Sequence, residues 1–137
     1  LATRTTFTSS TSLQGVYHDT TSWPLVRMVF MGDFGSNAIE KHLVEVETYL
    51  DRGERWAAAF EMRNCRVITA SERKQYTDLI TRRGPQFKQT IQRCALVTES
   101  SLHRGALTAI TWVVPLPFDV KFFPDSVGAE RWLRETL

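Results

Sequence analysis

Residues 56–73, WAAAFEMRNCRVITASER, decide the fold. Trp56 to Met62 is an almost continuous apolar run, which suits a strand covered on both faces. Alanine favours helix, so a buried helix start is the rival reading. The flanks argue for the strand: Arg52, Gly53 and Arg55 precede the run, and Arg63-Asn64 follows it. Thr69-Ala70-Ser71-Glu72 is a capping box, in which the threonine and glutamate side chains each satisfy an unpaired amide of a first helical turn. The stretch therefore predicts strand, loop and helix start, the place where ligands and partners usually dock in α/β sheets.

Toward the N-terminus, Leu25 to Met31 (LVRMVFM) reads as a strand, and Gly15 to Asp19 as a shorter one. Thr20-Thr21-Ser22 between them makes an antiparallel hairpin. Asp33-Phe34-Gly35 matches the metal-holding tripeptide of protein kinases. No glycine-rich phosphate loop precedes it and no His-Arg-Asp loop exists in these 137 residues, so it reads as a strand-to-helix loop. Ser36 or Asn37 caps a helix whose inward stripe is Ile39, Leu43, Val46 and Leu50. His42 falls on its wet side, and Gly53 ends it. Residues 1–13, LATRTTFTSSTSL, are poor in apolar side chains and predict a disordered tail or linker, leaving 14–137 as one domain.

Beyond the capping box, Tyr76, Leu79 and Ile80 turn inward, and Gly84-Pro85 should break or kink the helix. Phe87 and Ile91 suggest a further helical piece, and Cys94 to Thr98 another buried strand. A helix starting at Ser100 or Ser101 runs to Val113 and is apolar nearly all round. Val120 to Phe123 is the last strand, and a closing helix carries Ala129, Trp132, Leu133 and Leu137 inward. The order β-β-α-β-α-β-α-β-α predicts an α/β mixed sheet of about five strands with covering helices.

Composition excludes several classes. A hydrophobic share of 42% supports one core, and a formal net charge of +2 is too small to argue for nucleic acid. Two cysteines, Cys65 and Cys94, make neither a disulfide framework nor a zinc pattern, and fit a reducing compartment. No apolar run reaches a membrane span. His18, His42 and His103 share no ligand spacing with Cys, Asp or Glu, so no metal site and no cofactor is expected. From Arg63 to Arg93 eight basic residues face two acidic ones, which reads first as a solvated helix face. Cys65 lies near Arg63 and Arg66, whose charges would lower a thiol pKa.

Several of these segments together resemble the SpoIIAA-like group of the STAS (anti-sigma-factor antagonist) fold. Ala58 to Arg63 stands where those proteins carry an apolar strand ending in Asp-Leu-Arg. Thr69 to Arg73 matches their Thr-Pro-Glu-Gln-Arg-like helix start. Val120 to Phe123 followed by Ala129-Glu130-Arg131-Trp132-Leu133 resembles the closing strand and helix. The resemblance spans Val16 to Leu137. It implies a small, bacterial, cytoplasmic signalling domain without catalysis that binds another protein, often a kinase that phosphorylates it. Of the family's Asp-Ser-Ser-Gly-like phosphorylation turn only Ser71 is kept, with Glu72 where the glycine would be, which makes Ser71 the candidate phosphosite. Relatives of the fold also include lipid-carrying domains.

The function expected first is therefore a regulatory protein-binding module, with a homodimer among its assemblies. Its contact surface would combine Arg63, Arg66, Ser71 and Arg73 with Leu107, Trp112 and Phe118 on and after the apolar helix. The alternative is a carrier of a lipid or other small apolar ligand in a pocket under that helix. A helix apolar all round needs cover. The domain's own core with the Trp132 helix, a partner and a ligand are the three ways to supply it.

Overall fold

Trp56–Arg63 forms β3, the middle strand of a five-stranded sheet, in the computed structural model, which describes residues 14–137. The chain runs β1 (Gly15–Asp19), β2 (Leu25–Met31), α1 (Ala38–Asp51), β3, α2 (Ala70–Arg82), α3 (Gly84–Thr90), β4 (Ile91–Val97), α4 (Ser101–Val113), β5 (Asp119–Phe123) and α5 (Ser126–Arg134). The expected tail, 1–13, lies outside the described residues. Strands lie side by side in chain order, with β1 antiparallel to β2 and the other neighbours parallel. Among the described residues, β1 and β5 are the two edges.

The expected mixed α/β sheet is present, and the further helical piece suggested by Phe87 is α3, a helix beyond the four in the predicted order. Gly84-Pro85 does break the chain: α2 ends at Arg82, and Pro85 sits in the first turn of α3, where its missing N–H costs nothing. Strand β4 begins at Ile91 rather than Cys94. The helical spacing from Phe87 to Ile91 misleads because α3 stops at Thr90, and Ile91 already pairs with Trp56.

Local signals account for the elements around β3. Thr69 Oγ1 accepts from the Glu72 amide at 3.1 Å, and Glu72 Oε1 accepts from the Thr69 amide at 2.9 Å, completing the capping box. Gly53, at φ 68°, adopts the left-handed conformation just past α1 that a residue with a Cβ resists. Phe34 of the Asp33-Phe34-Gly35 loop is buried in the core under the Arg66 guanidinium, 4.0 Å from its ring, so this loop is a packing feature.

Alternation along the strands divides the core. Val26, Met28, Phe30, Ala58 and Leu96 belong to one layer, beneath α1 to α4. Leu25, Ala57, Ala59, Ala95 and Val97 belong to the other, where Ala129 and Leu133 of α5 pack on them. The expectation that the C-terminal helix helps to cover the apolar helix is therefore wrong: α5 lies on the opposite face from α4. Trp132 packs on Phe123, with ring centroids 5.5 Å apart, and carries Arg93 at 4.6 Å.

His42 is also misplaced by the sequence reading. It is 2% exposed, packed among Phe30, Phe60 and Tyr76. No helix among the described residues is long and apolar enough to cross a membrane.

Candidate functional site

The helical layer is not filled. Beneath α4 lies a cavity of about 110 Å³. Its floor is β3 and β4, through Trp56, Ala58, Phe60 and Cys94; α2 contributes Tyr76. Its outer wall is α4 and the following loop, where Phe118 rests on Phe87 of α3 with ring centroids 5.8 Å apart. Thr111 is exposed and also lines the cavity, so the space reaches the surface along the C-terminal half of α4.

The way α4 is seated explains this space. Of its thirteen residues only Ile110 is buried, although the helix is apolar on most sides. Its N-terminal end is fastened. Ser100 Oγ accepts from the His103 amide at 3.3 Å, and the His103 Nε2–H donates to the Cys65 carbonyl at 3.0 Å. Trp112, nine residues after His103, lies roughly 13 Å further along the axis at about 1.5 Å per residue. That end shows Trp112 at 82% and Val113 at 74% exposed, so Trp112 is not a core residue.

The loop after β3 is largely committed within the chain. The Arg66 guanidinium donates to both Glu72 oxygens at 2.7 Å and to the Phe34 carbonyl at 2.9 Å. Arg63 donates to the buried Glu61 carboxylate at 2.6 Å, and Arg73 to the Ile68 carbonyl at 3.3 Å. The Arg66 guanidinium, together with the Thr69 capping bonds, holds the Glu72 carboxyl below its ordinary range. Ser71 is exposed in the first turn of α2, beside that neutralised pair. A phosphate there would meet the neighbouring Glu72 carboxylate, to which Arg66 is already committed.

The structure brings some of the expected contact residues together. Arg66 and Leu107 line one narrow crevice with Cys65 and His103, where α4 meets the loop. Leu107 and Phe118 line the cavity itself, and Trp112 points away from it into solvent. The expectation of an activated Cys65 is wrong in direction. Burial pushes its thiol pKa up, and this outweighs the opposing effects of two backbone hydrogen bonds and Arg66.

The sequence reading missed a polar chain behind the cavity wall. His18 Nδ1 lies 2.6 Å from the Tyr49 hydroxyl and 3.2 Å from the Glu45 carboxylate; its Nε2 lies 2.7 Å from His42 Nδ1. Burial lowers the pKa of both imidazoles, that of His42 strongly, and keeps the pair neutral. His42 Nε2 ends this chain without a hydrogen-bond partner among the described residues, surrounded by aromatic rings. The signal existed in the sequence: His42 falls three residues after Ile39 and four before Val46, on the apolar stripe.

With the geometry in place, comparison with known proteins is informative at the level of architecture. A crystal structure from Shewanella loihica PV-4 superposes with a TM-score of 0.55, covering 93% of this chain and 99% of that one at 16% identity. It is described as an uncharacterized protein of the DUF3478 family with a SpoIIAA-like fold. The fold is SpoIIAA-like. No protein-family profile matches the chain, and no curated protein matches its sequence. The SpoIIAA-like architecture agrees with the resemblance carried by Ala58 to Arg63, Thr69 to Arg73 and the C-terminal strand and helix.

Proposed function

We propose that this SpoIIAA-like domain binds a small apolar molecule under α4. The observation that carries the reading is the cavity of about 110 Å³ walled by the core side chains of β3, β4, α2 and α4. Protein interiors are packed nearly as densely as organic crystals, so an apolar space of this size is unusual. It approaches the ~150 Å³ in which an engineered apolar cavity stays dry and accepts benzene. A single ring or a short alkyl chain fits it, and a longer chain leaves past Thr111. Among the described residues the wall carries no carboxylate, imidazole or amine, which supports a carrier over a catalyst. Two free cysteines are in keeping with a reducing, cytoplasmic setting.

Native mass spectrometry of the purified chain tests this. An adduct that stays through gentle ionisation and leaves on denaturation is the expected result. A bare chain that also fails to take up added toluene, seen as no displacement of its amide signals around Ala58, removes the reading.

A second reading, the regulatory protein-binding module, is favoured by a different observation. Leu102, Trp112 and Val113 of α4 are exposed. Exposed aromatic anchors of this kind are enriched in protein interfaces, and a second copy of the chain is one partner that fits. Sedimentation of the wild-type chain and Trp112→Ala separates the readings. Self-association lost in the variant favours the module, and a monomer in both leaves the carrier as the better account of this chain alone.

A further inference from the structure

Resting on the ligand-binding reading, we propose that the cavity takes single-chain carboxylates, the apolar chain lying under α4 and the carboxylate held at the rim by Arg104. The proposal names the head group of the ligand, and it fails separately from the ligand site itself.

The place of Arg104 carries this. Its guanidinium carbon lies 4.8 Å from the centroid of the Phe122 ring, and Phe122 lines the cavity. Thr108 and Thr111, about one and two turns further along α4, line the same cavity. Residues spaced in this way share one side of a helix. Arg104 therefore continues the line of the cavity wall to its charged end.

Arg104 is also a cation without an anion. The arginines elsewhere in the helical layer are committed: Arg66 to Glu72, and Arg83 to Glu47 and Asp51. Arg104 is exposed, and its guanidinium makes no hydrogen bond and no ion pair with another described residue. The contact with the Phe122 ring attracts the charge but satisfies none of the N–H donors. A planar fork with free donors matches the two oxygens of one carboxylate.

Exposure removes the usual objection to an ionic ligand. A carboxylate buried among core side chains loses its hydration without compensation. At Arg104 it keeps water on one side, and only the chain enters the apolar space. The charged side chains of β5 do not compete for it. Strand alternation turns Asp119 and Lys121 away from the side of Val120 and Phe122. Lys121 lies 5.4 Å from the ring of Phe123, which packs in the layer under α5.

Hexanoate, 1-hexanol and hexylamine, titrated into the intact chain at pH 7.5 and low salt and followed by the amide shifts of Ala58 and Phe122, test this. The alcohol reports the site, and the two ions report the head group. Hexanoate should bind about three- to fivefold more tightly than hexylamine, and Arg104→Gln should weaken hexanoate by about three- to fivefold while leaving 1-hexanol within about 1.5-fold. Raising NaCl to ~0.5 M should shrink the advantage of hexanoate, because an exposed pair is screened. Lys121→Gln removes the same charge from the opposite face of the sheet and should leave hexanoate within about 1.5-fold. Hexylamine binding as tightly as hexanoate would overturn the proposal, and so would equal losses of hexanoate in the two variants. If none of the probes binds, the ligand site fails and this inference with it. Binding of 1-hexanol with no preference for hexanoate over hexylamine sinks the inference alone.

Discussion

The two faces of one sheet are packed by opposite means. On the α5 face, Ala57, Ala59 and Ala95 let a helix approach closely, and Ala129 and Leu133 pack on them. On the other face the same strands present Met28, Phe30, Trp56 and Phe60 to four helices, and the space under α4 stays open. Small residues against a single short helix leave a space of about 80 Å³ that is shared with Arg27, Glu61 and Glu130. Large rings of fixed shape, met by a helix with one buried residue, leave an apolar one. The lining, more than the volume, separates the two faces: apolar under α4, and charged in part under α5.

The contrast breaks most readily at its tight side. Leu133→Ala removes a fully buried side chain from the α5 contact and should cost about 2–5 kcal/mol in chemical denaturation. Leu107→Ala, half-buried beside the existing cavity, should cost no more than ~1.5 kcal/mol. Equal losses would mean that α4 is seated as firmly as α5. A matched pair sharpens the point. Ala95→Val pushes into the α5 contact and should cost ~1–3 kcal/mol. Ala58→Val, on the neighbouring strand, grows into the cavity, and its stability should stay within ~0.5 kcal/mol of wild type.

Acid should act first on the cavity side, and the more acid stage is shared by Glu61 with Glu47 and Glu72 of the helical layer. His18 and His42, behind the cavity wall, have folded pKa values below 6.5 because burial disfavours the imidazolium. Below pH 6.5 the unfolded chain therefore binds more protons than the folded one, and stability falls as pH drops toward the folded values. On the α5 face, burial alone would raise the Glu61 carboxyl. Hydrogen bonds from Arg27 and Arg63 outweigh it and hold the pKa below 4.5. That contribution is complete above pH 4.5 and is lost as pH falls through the folded value. Denaturation midpoints measured stepwise from pH 8 to 4 should thus decline in two stages, and His42→Leu should flatten the first. The smallest effect is expected at Trp112→Ala, which should shift stability by less than ~0.5 kcal/mol because the side chain is in solvent.

Much of this architecture is legible in the sequence, because periodicity and caps are local. The Thr69–Glu72 box, the apolar run of β3 and the stripe Ile39, Leu43, Val46 and Leu50 each announce themselves within a few residues. The errors arise where the outcome is tertiary. His42 looks solvated by its polarity, yet it lies inside because His18 supplies a partner 24 residues away. Cys65 looks activated by two arginines whose charge is already matched by Glu61 and Glu72. The helix at 101–113 visibly lacks a polar face. That it would leave an unfilled space could not be read, because packing depends on summed volumes across eight elements. Periodicity reports only which way a side chain faces.

The edges of the sheet have a further consequence for association. An open strand edge offers unpaired amides and carbonyls to any other chain. Here each edge strand is only five residues long. β5 carries Asp119 and Lys121 and is bracketed by Pro117 and Pro124, while β1 holds Asp19, whose carboxylate is turned back onto Thr21 at 2.6 Å. Growth of the sheet by adding strands, the usual route to fibrils, is blunted at both ends. The helical surface carries no comparable charge or proline guard at Trp112 and Val113, which stand exposed at the end of α4.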